Sequence, residues 1–377
     1  MTIGILKESA GEQRVALLPE AVQTLVKMQV QVLTEQQAGA AAFADDESYT
    51  QAGAKTVARS VLLRESDVVI GIHPPQPDDI EALREGQVWI SIFQPLVNRP
   101  LVDKFLAKKI TSFSLDMIPR TTRAQAMDIL SSMATVAGYK AVITAAYHAP
   151  RFFPMFMTAA GSIPPSKVLV LGAGVAGLQA IATSRKLGAV VEAFDVRAAA
   201  EEEVKSLGAK FIKVEGARDD ASAGGYAVEQ TEEFKQKQKQ LIHAHALKAN
   251  VIICTAQIPG KKAPLLVTQE TVAAMMPGSV IVDLAASSGG NCELTENNQT
   301  IVRHGVTIIG NSNLPATMPT DASKMFGKNV LNFLKLIIDK EGKLHLHFDD
   351  DIIRDTCVTH AGELISERVK KNYLEKV

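Results

Sequence analysis

The most specific chemical signal in the chain is a glycine-rich stretch that follows a short apolar run. Gly172, Gly174 and Gly177 have the G-x-G-x-x-G spacing, after Val168–Leu171 and before a helical pattern. In such a turn the first glycine allows a tight bend, the second lets the backbone approach a pyrophosphate, and the third lets helix and strand pack closely. The free N–H groups of the first helical turn, including that of Val175, would then face the phosphates. The stretch predicts a dinucleotide-binding turn, and a plain strand–helix connection is the simpler alternative.

A carboxylate stands where the second half of that fingerprint is expected. The apolar run Val190–Phe194 ends at Asp195, roughly 20 residues after Gly172, which is the usual separation. An acid there accepts hydrogen bonds from ribose hydroxyls and repels a 2′-phosphate, so it favours NAD(H) over NADP(H). Arg197 argues the other way, because a nearby arginine can receive a 2′-phosphate. We give the acid more weight and expect NAD(H).

A second polar cluster precedes a long helical pattern. Arg120, Arg123, Gln125, Asp128 and Ser131 crowd one short stretch, and the last three are spaced three residues apart. At that spacing they could present polar atoms in one direction and hold a nicotinamide amide and its ribose. The alternative reading of the same composition is an ordinary N-terminal helix acid at Asp128 beside solvated arginines.

Length and composition exclude several classes of protein. With 377 residues, 46% of them hydrophobic and 21% charged, the sequence predicts a globular protein of two or three domains. Its 40 basic and 41 acidic residues give a net charge of -1, which offers no electrostatic reason for nucleic-acid binding. No window reaches the ~18 uninterrupted apolar residues of a membrane span. We therefore expect a soluble chain with no signal peptide and no direct membrane span.

Cysteine and histidine usage predicts no metal site. Three cysteines lie far apart along the chain, which argues against a disulfide framework or a zinc knuckle and fits a reducing compartment. His243-x-His245 and His345-x-His347 have no cluster of cysteines or carboxylates beside them, so neither pair is expected to bind a metal.

Strand-like and helix-like segments alternate in two series. The strands predicted in the first series are Thr2–Leu6, Val30–Thr34, Asp67–Gly71, Gln87–Phe93 and Ile110–Phe113. The helices predicted between them are Pro19–Met28, Ala58–Glu65, Pro77–Arg84 and Arg99–Lys108. The strands predicted in the second series are Lys167–Leu171, Val190–Asp195, Lys210–Val214, Val251–Thr255, Ser279–Leu284 and Val306–Ile309. Such alternation predicts an α/β fold with two Rossmann-like, doubly wound parallel sheets.

Long helical patterns flank the second series. They cover Met127–Ala146 and Thr320–Asp339, and Lys343–Phe348 then alternates like an edge strand. We predict one domain from residues 1–131 completed by the tail 320–377, and a second domain from residues 132–319. The long helices would join the two domains, with a nucleotide cleft between them.

A segment rich in glycine, alanine and serine interrupts the second series. Residues 215–227 are too rich in small residues to pack as a strand, and the segment carries one large aromatic residue, Tyr226. Functional loops often have this composition, and a disordered connector is the alternative.

Several motifs together resemble one known family. They are Arg120–Ser132, Met157–Gly161, Gly174–Ala180, Asp195–Ala199, Ile258–Lys261 and Ser288–Cys292. These motifs resemble the NAD(H)-binding component of proton-translocating nicotinamide nucleotide transhydrogenases, and the similarity extends from residue 1 to about residue 360. The chain ends without the membrane helices of longer alpha subunits, so it resembles the separate soluble subunit of the multi-subunit bacterial type, or an excised domain.

The resemblance implies a role for each matching residue. Catalytic positioning falls to Arg120, Gln125, Asp128 and Ser131 in a loop that orients the nicotinamide and its ribose. The nucleotide-binding positions in the same loop also include Thr121, Thr122 and Arg123. The remaining nucleotide-binding positions are Gly172, Gly174, Val175 and Gly177 at the pyrophosphate, Asp195, Val196 and Arg197 at the adenosine ribose, Gly225 and Tyr226 in a mobile loop, then Gln238 and Gln257. For Gln257, a backbone contact is expected, because relatives carry leucine there.

The implied activity is reversible hydride transfer between NADH and NADP⁺. By the same resemblance, NADP(H) is bound by a partner beta subunit, and a membrane-spanning subunit couples the exchange to proton translocation. The chain is expected to form a homodimer and to lie at the cytoplasmic face of the inner membrane through its partners. Hydride exchange releases no proton from either ring, so it needs geometry rather than an acid or a base.

The alternative is an amino-acid oxidoreductase similar to alanine dehydrogenase. That family shares an arginine at the position of Arg14, but it also needs a general base and a cation for the substrate carboxylate. Its lysine and histidine are replaced here by His73 and Gln94. His73 could still be a base, and a histidine at the end of a loop is the simpler interpretation.

Overall fold

A computed structural model of the chain describes residues 1–214, 231–257 and 262–374. It divides into two compact units, one formed by Met1–Met133 with Ala316–Val377 and the other by Ala134–Pro315. Each unit is built on one parallel sheet with helices between its strands, as the alternating pattern predicts.

The N-terminal portion of unit 1 alternates strand and helix. Its strands are β1 Thr2–Ile5, β2 Gln31–Glu35, β3 Lys55–Val57, β4 Val68–Ile70, β5 Val88–Ser91 and β6 Thr111–Ser114. Its helices are α1 Pro19–Lys27, α2 Asp46–Gln51, α3 Arg59–Glu65, α4 Pro77–Ala82 and α5 Arg99–Ala107. The strand order is β3-β2-β1-β4-β5-β6, all parallel. The winding therefore reverses between β1 and β4, where doubly wound sheets have their crevice.

A short 3₁₀ turn, Thr122–Met127, leads from unit 1 into α6, Ile129–His148. Among the described residues, α6 is the one helix long and apolar enough to cross a membrane by length and composition. A core helix of a soluble protein passes the same test, so this property of α6 is weak evidence for a span.

Unit 2 repeats the doubly wound arrangement. Its strands are β7 Phe156–Thr158, β8 Gly161–Ile163, β9 Lys167–Leu171, β10 Val190–Phe194, β11 Lys210–Ile212, β12 Val251–Cys254, β13 Val280–Asp283, β14 Thr300–Arg303 and β15 Val306–Ile309. Its helices after α6 are α7 Val175–Lys186, α8 Ala200–Ser206, α9 Glu232–Ala246 and α10 Gln269–Ala274. The main sheet has the order β11-β10-β9-β12-β13-β15-β14, with β14 antiparallel at the edge, and β7 pairs with β8 in a separate hairpin.

The C-terminal portion of the chain completes unit 1. It consists of α11 Pro319–Ile337, α12 Asp351–Thr356, β16 Cys357–His360, β17 Glu363–Leu364 and α13 Glu367–Leu374. Strand β16 pairs antiparallel with β6, and β17 extends the edge. Helix α11 buries an apolar face that includes Phe326, Val330 and Phe333 against the sheet.

The predicted edge strand Lys343–Phe348 is wrong. In the described chain this segment joins neither sheet, and one isolated bridge links Leu344 to Ile338. Leu344, Leu346 and Phe348 instead pack as half-buried side chains on the core of unit 1. The alternation therefore reflects a segment with one face against the core, and the strands that extend the sheet beyond β6 are β16 and β17.

Candidate dinucleotide-binding site

The glycine turn lies at the point of unit 2 where the winding of the sheet reverses. Gly172 directly follows β9 and has a φ of +100°, a conformation that favours glycine. Thr255 follows the neighbouring strand β12, and its Oγ1 donates to Gly172 O at 2.9 Å. A Cβ at Gly172 would lie 2.7 Å from that Oγ1. The two strand ends thus meet at the switch point, where dinucleotides bind in this type of sheet.

The other two glycines differ sharply in their surroundings. A Cβ at Gly177 would lie 1.9 Å from Gly172 O, so only glycine fits between the turn and α7. A Cβ at Gly174 would meet no described atom within 4 Å. The space above Gly174 is open, and α7 begins at the next residue, Val175. An open approach to the start of a helix is the arrangement that accepts an anionic phosphate.

A third close contact supports α7 from behind. A Cβ at Gly138 of α6 would lie 2.1 Å from Ala176 O in the first turn of α7. The two helix backbones are therefore in direct contact at this point. The contact fixes the helix end that faces the glycine turn.

Asp195 and Arg197 are bound to each other at the end of β10. The carboxylate of Asp195 accepts from Ala173 N at 2.7 Å and from Arg197 N at 2.9 Å. The side chain of Arg197 donates to the same carboxylate. The acid that favours NAD(H) and the arginine that argues against it are thus one ion pair beside the glycine turn.

The remaining predicted positions of unit 2 are less enclosed. Val196 is half-buried and packs on an apolar cluster of the unit, and Gln238 is half-buried on α9. Gln257 is exposed, and its Nε2 donates to Leu284 O at 3.1 Å and to Ser288 Oγ at 3.3 Å. Gly225 and Tyr226, with the whole 215–227 segment and the Ile258–Lys261 motif, lie outside the described residues.

Sequence reasoning missed the side chains that hold the loops around the turn. Asn291 Oδ1 accepts from Ala256 N at 3.0 Å, and its Nδ2 donates to Ala256 O at 2.9 Å and to Pro264 O at 2.8 Å. Thr255 acts in the same way on Gly172. The motif Ser288–Cys292 contains Asn291, but its partners lie 35 and 27 residues away, so local spacing could not reveal its role.

A buried carboxylate in turn fixes the segment that carries Asn291. Asp283, fully buried at the end of β13, accepts from Asn291 N at 2.8 Å, Cys292 N at 3.0 Å and Thr295 Oγ1 at 2.8 Å. Burial raises the pKa of Asp283, although these hydrogen bonds act in the opposite direction. The network provides structural support for the loops at the carboxyl edge of the sheet.

The polar cluster of unit 1 lies on an exposed turn. Arg120, Thr121, Thr122, Arg123 and Gln125 are all exposed. The 3₁₀ turn Thr122–Met127 is anchored by buried Ala124 and Met127, which belong to the main core of the unit. The turn therefore presents polar side chains to the outside from a fixed apolar base.

Asp128 and Ser131 are bound to each other at the start of α6. Asp128 Oδ1 accepts from Ser131 N at 2.9 Å, and Oδ2 accepts from Ser131 Oγ at 2.6 Å. This is the geometry of an N-terminal helix cap, so Asp128 does serve the structural role that composition alone suggested. The capping bonds also hold the carboxylate in one orientation.

Arg123 is engaged by acids from the C-terminal portion of the chain. It donates to Asp350 at 2.5 and 2.8 Å and also contacts Asp351. Hydrogen bonds to Asp350 and Asp351 raise the pKa of Arg123 above its usual range. The guanidinium thus serves as a tie between the turn and α12.

The residues that match alanine dehydrogenase positions form a closed ion-pair cluster in unit 1. Glu12 accepts from Arg14 Nε at 2.8 Å and from Arg14 Nη2 at 2.6 Å, and His73 Nε2 lies 2.8 Å from Glu12 Oε2. The side chains of Arg14 and Glu12 are 5% and 2% exposed. Gln94 is exposed and has a φ of +50°. The buried cation at this place already has a carboxylate partner.

A cavity of about 160 Å³ opens beside that cluster, at the carboxyl ends of β1 and β4. Its charged lining residues also pair with one another. Arg59 donates to both carboxylate oxygens of Asp79 at 2.7 Å and to Glu35 at 2.7 Å. Burial raises the pKa of Glu8, which also lines the cavity. Within the described ranges there is no group of three or more residues suited to hold a metal ion.

Fold and site geometry define the class as an α/β protein built on two doubly wound sheets, with a dinucleotide-type glycine turn in the second. The chain belongs to the alanine dehydrogenase/PNT family. Residues 4–137 match the model of the "Alanine dehydrogenase/PNT, N-terminal domain" and residues 141–367 that of the "Alanine dehydrogenase/PNT, C-terminal domain".

Within that family the similarity is greater to transhydrogenase subunits. The separately encoded first portion of NAD(P) transhydrogenase subunit alpha of Rhodospirillum rubrum is 47% identical over 97% of this chain and 98% of its own length. The crystal structure of transhydrogenase from Sinorhizobium meliloti is 41% identical, with a TM-score of 0.89 over 97% of this chain and 100% of the other. Alanine dehydrogenase of Mycolicibacterium smegmatis is 27% identical over 99% of this chain and 96% of its own. The resemblance drawn from the motifs is confirmed.

Proposed function

We propose that this chain is the NAD(H)-binding component of a proton-translocating transhydrogenase. In the proposed reaction a hydride leaves NADH and is accepted by NADP⁺, which yields NAD⁺ and NADPH with no net proton released. NADP(H) would be bound by a partner beta subunit. The observation that carries the proposal is the open, tightly built glycine turn at the switch point of unit 2, in a chain that is 47% identical to a transhydrogenase subunit.

The proposed nucleotide contacts in unit 2 follow from the turn. The N–H of Val175 and the open backbone at Gly174 would bind the pyrophosphate, with Gly172 and Gly177 shaping the turn. Asp195, Val196 and Arg197 would bind the adenosine ribose. Contacts from Gln238, Gln257, Gly225 and Tyr226 belong to the same proposal.

The proposed contacts in unit 1 concern the nicotinamide. Arg120, Gln125, Asp128 and Ser131 would orient the ring and its ribose, with Thr121, Thr122 and Arg123 in the same loop. The nicotinamide rings supply the hydride chemistry themselves. The protein has to hold the two reacting carbons at about 3–3.5 Å and exclude water. Capping bonds that fix the carboxylate of Asp128 suit a positioning role.

The cluster around Arg14 supports this activity over alanine oxidation. Oxidation of an amino acid needs a base and a cation that can accept the substrate carboxylate. Here Arg14 is buried and bound to Glu12, and His73 is bound to the same carboxylate. Breaking such a buried pair to bind a substrate would be costly. Transhydrogenation needs neither group.

The proposed homodimer has a physical counterpart on unit 2. All six residues of the β7–β8 hairpin are exposed, with Met157 at 78% and Tyr147 of α6 at 86%. The ring centroids of Phe152 and Phe156 lie 4.3 Å apart in this patch. An isolated two-stranded hairpin is marginally stable in water, and large exposed apolar patches commonly mark interfaces. A second copy of the chain is the partner we propose for it.

The proposed location is the cytoplasmic face of the inner membrane, reached through partners. A membrane-spanning transhydrogenase subunit would couple hydride exchange to proton translocation. The relatives are named as alpha subunits, or as one portion of an alpha subunit, and these names support assembly with further subunits.

One experiment separates this proposal from its alternatives. The purified chain is mixed with an NADP(H)-binding transhydrogenase component, and hydride transfer from NADH to an NADP⁺ analogue is followed. We expect NADH binding by the chain alone, no reduction of NAD⁺ with L-alanine, and transfer only in the mixture. Alanine-dependent reduction would instead indicate an amino-acid dehydrogenase, and binding without transfer would indicate a module that only senses NAD(H).

A further inference from the structure

We propose that Asn329, Asn332 and Asp350 are positioning residues for hydride transfer. They lie outside the predicted nucleotide contacts and hold the turn Thr122–Met127, which carries Gln125. This inference rests on the proposed function, because it names the residues that fix the orienting loop.

The first half of the clamp acts on one backbone carbonyl. Asn329 Nδ2 donates to Ala126 O at 2.9 Å, and Asn332 Nδ2 donates to the same oxygen at 3.1 Å. Both asparagines are on α11, three residues apart, so they lie on the same face of that helix. Two side-chain amides therefore bind the carbonyl of the residue that directly follows Gln125 in the chain.

The second half acts on the other side of Gln125. Arg123 is held by Asp350, which also caps α12 by accepting from Ile352 N at 2.8 Å and Ile353 N at 3.3 Å. Asp351 binds the same guanidinium. Arg123 and Ala126 bracket Gln125, and the two C-terminal elements α11 and α12 hold one bracket each. The backbone of Gln125 is thereby fixed while its side chain stays exposed.

The cost of this arrangement argues against a purely stabilising role. Asn329 is buried at 7% exposure, and its Oδ1 has no hydrogen-bond partner among the described residues. A buried amide oxygen without a partner is unfavourable, and such groups need a reason. The Arg123 pairs are exposed, where ion pairs contribute little to stability. Polar contacts of this kind on an exposed 3₁₀ turn restrict its motion more than they stabilise the fold.

Restricted motion is what hydride transfer asks of this loop. A short exposed turn would otherwise sample several conformations, and small misplacements of reacting groups lower rates strongly. NADH affinity depends on contacts along the whole nucleotide, including the turn in unit 2. Loosening the clamp should therefore slow transfer while leaving affinity nearly unchanged.

The test uses the full chain with an NADP(H)-binding transhydrogenase component. Single-turnover transfer and the Kd for NADH are measured for Asn332→Ala, Asp351→Asn and the double variant. Lys335→Ala is the matched control, since Lys335 is exposed on the same helix one turn away. We avoid Asp350 as the first target because its loss would also uncap α12.

We expect the double variant to slow transfer by about tenfold or more, with the Kd for NADH changed less than about twofold and the control equal to wild type. Asp351→Glu should recover part of the rate. Equal rates for wild type and the double variant, or equal proportional losses in rate and affinity, overturn the positioning role alone. A wild-type chain that binds NADH yet transfers no hydride in the mixture overturns the proposed function, and this inference with it.

Discussion

Asp195 and Arg197 form a bidentate ion pair, with Nε 2.9 Å from Oδ1 and Nη2 2.8 Å from Oδ2. The carboxylate also accepts two backbone N–H groups. Because a carboxylate offers about four acceptor positions, a ribose hydroxyl would have to share or replace the guanidinium. Discrimination between NADH and NADPH therefore depends on the pair rather than on the acid alone.

Asp195→Asn should weaken NADH binding by about tenfold, as expected for a lost hydrogen bond to a charged group. It should also narrow the preference for NADH over NADPH, because the charge that repels a 2′-phosphate is removed. Titration calorimetry with both nucleotides measures the two effects. Glu192→Gln, on the same strand but bound to His245 and Lys210, is the control. An unchanged affinity for both nucleotides would remove Asp195 from the site.

The glycines of the turn should respond differently to a single methyl group. Gly174→Ala meets open space, so we expect an unchanged Tm with NADH binding weakened about tenfold or more, since the methyl occupies the path of the pyrophosphate. Gly177→Ala forces a backbone overlap and should lower stability by about 1–3 kcal/mol. Thermal unfolding and NADH titration on both variants check this. Equal affinity of Gly174→Ala and wild type would contradict the proposed phosphate position.

Asp128→Asn should slow hydride transfer far more than it weakens NADH binding. Asparagine caps helices as well as aspartate does, so the Tm should change little and the effect of the charge is isolated. Gln125→Asn should behave similarly, because a shorter side chain displaces the amide. Single-turnover rates beside NADH titration give the comparison. Proportional losses in both quantities would count against ring positioning.

The cluster at Glu12 should make stability depend on pH. Burial would by itself raise the pKa of Glu12, but hydrogen bonds from Arg14 and His73 lower it well below the ordinary value of 4.5. The folded pKa is thus depressed, so the contribution to stability is fully present above about pH 4.5 and is lost as pH falls towards the folded pKa.

Glu12→Gln should therefore have a lower Tm than wild type at pH 7, with the difference shrinking as the pH is lowered from about 5 to about 3. A loss of 1 kcal/mol corresponds to roughly 2–4 °C for a unit of this size. Differential scanning calorimetry across this range measures it, with exposed Asp78→Asn as the control. A difference that stays constant with pH would show that the charge of Glu12 is not responsible.

The hairpin of unit 2 should determine the oligomeric state. Met157→Asp places a charge in the exposed apolar patch and should raise the dimer dissociation constant by about tenfold or more, as charges in interface cores do. Val302→Asp, on the exposed edge strand β14 and 59% exposed, should leave the dimer intact. Sedimentation velocity distinguishes the species. A monomeric wild-type chain, or an unaffected Met157→Asp dimer, would rule out this surface.

Most parallel strands of both sheets can be predicted because buried strands form unbroken apolar runs between turn residues. Lys167–Leu171 and Val306–Ile309 have the predicted bounds. The strands Lys55–Val57 and Thr300–Arg303 escape prediction, since short edge strands have one partner and little apolar signal. Lys343–Phe348 is mistaken for a strand because one-sided packing produces the same alternation.

The candidate site shows the same division between local and distant information. The glycine turn can be predicted because its chemistry is set by neighbours within one turn. The contacts of Asn329 and Asn332 with Ala126 join residues 203 and 206 positions apart. No local spacing encodes such contacts, and a single sequence therefore offers no signal for them.

The antiparallel pairing of β6 with β16 has a consequence for biosynthesis. Ser112 Oγ and Thr359 Oγ1 lie 2.7 Å apart in that pair, although 247 positions separate them in the chain. A ribosome must therefore translate nearly the whole message before the N-terminal sheet can acquire its last two strands. Unit 2 is continuous and is complete earlier, so nascent N-terminal segments must wait with an open sheet edge, which is the stage at which chaperone protection matters most.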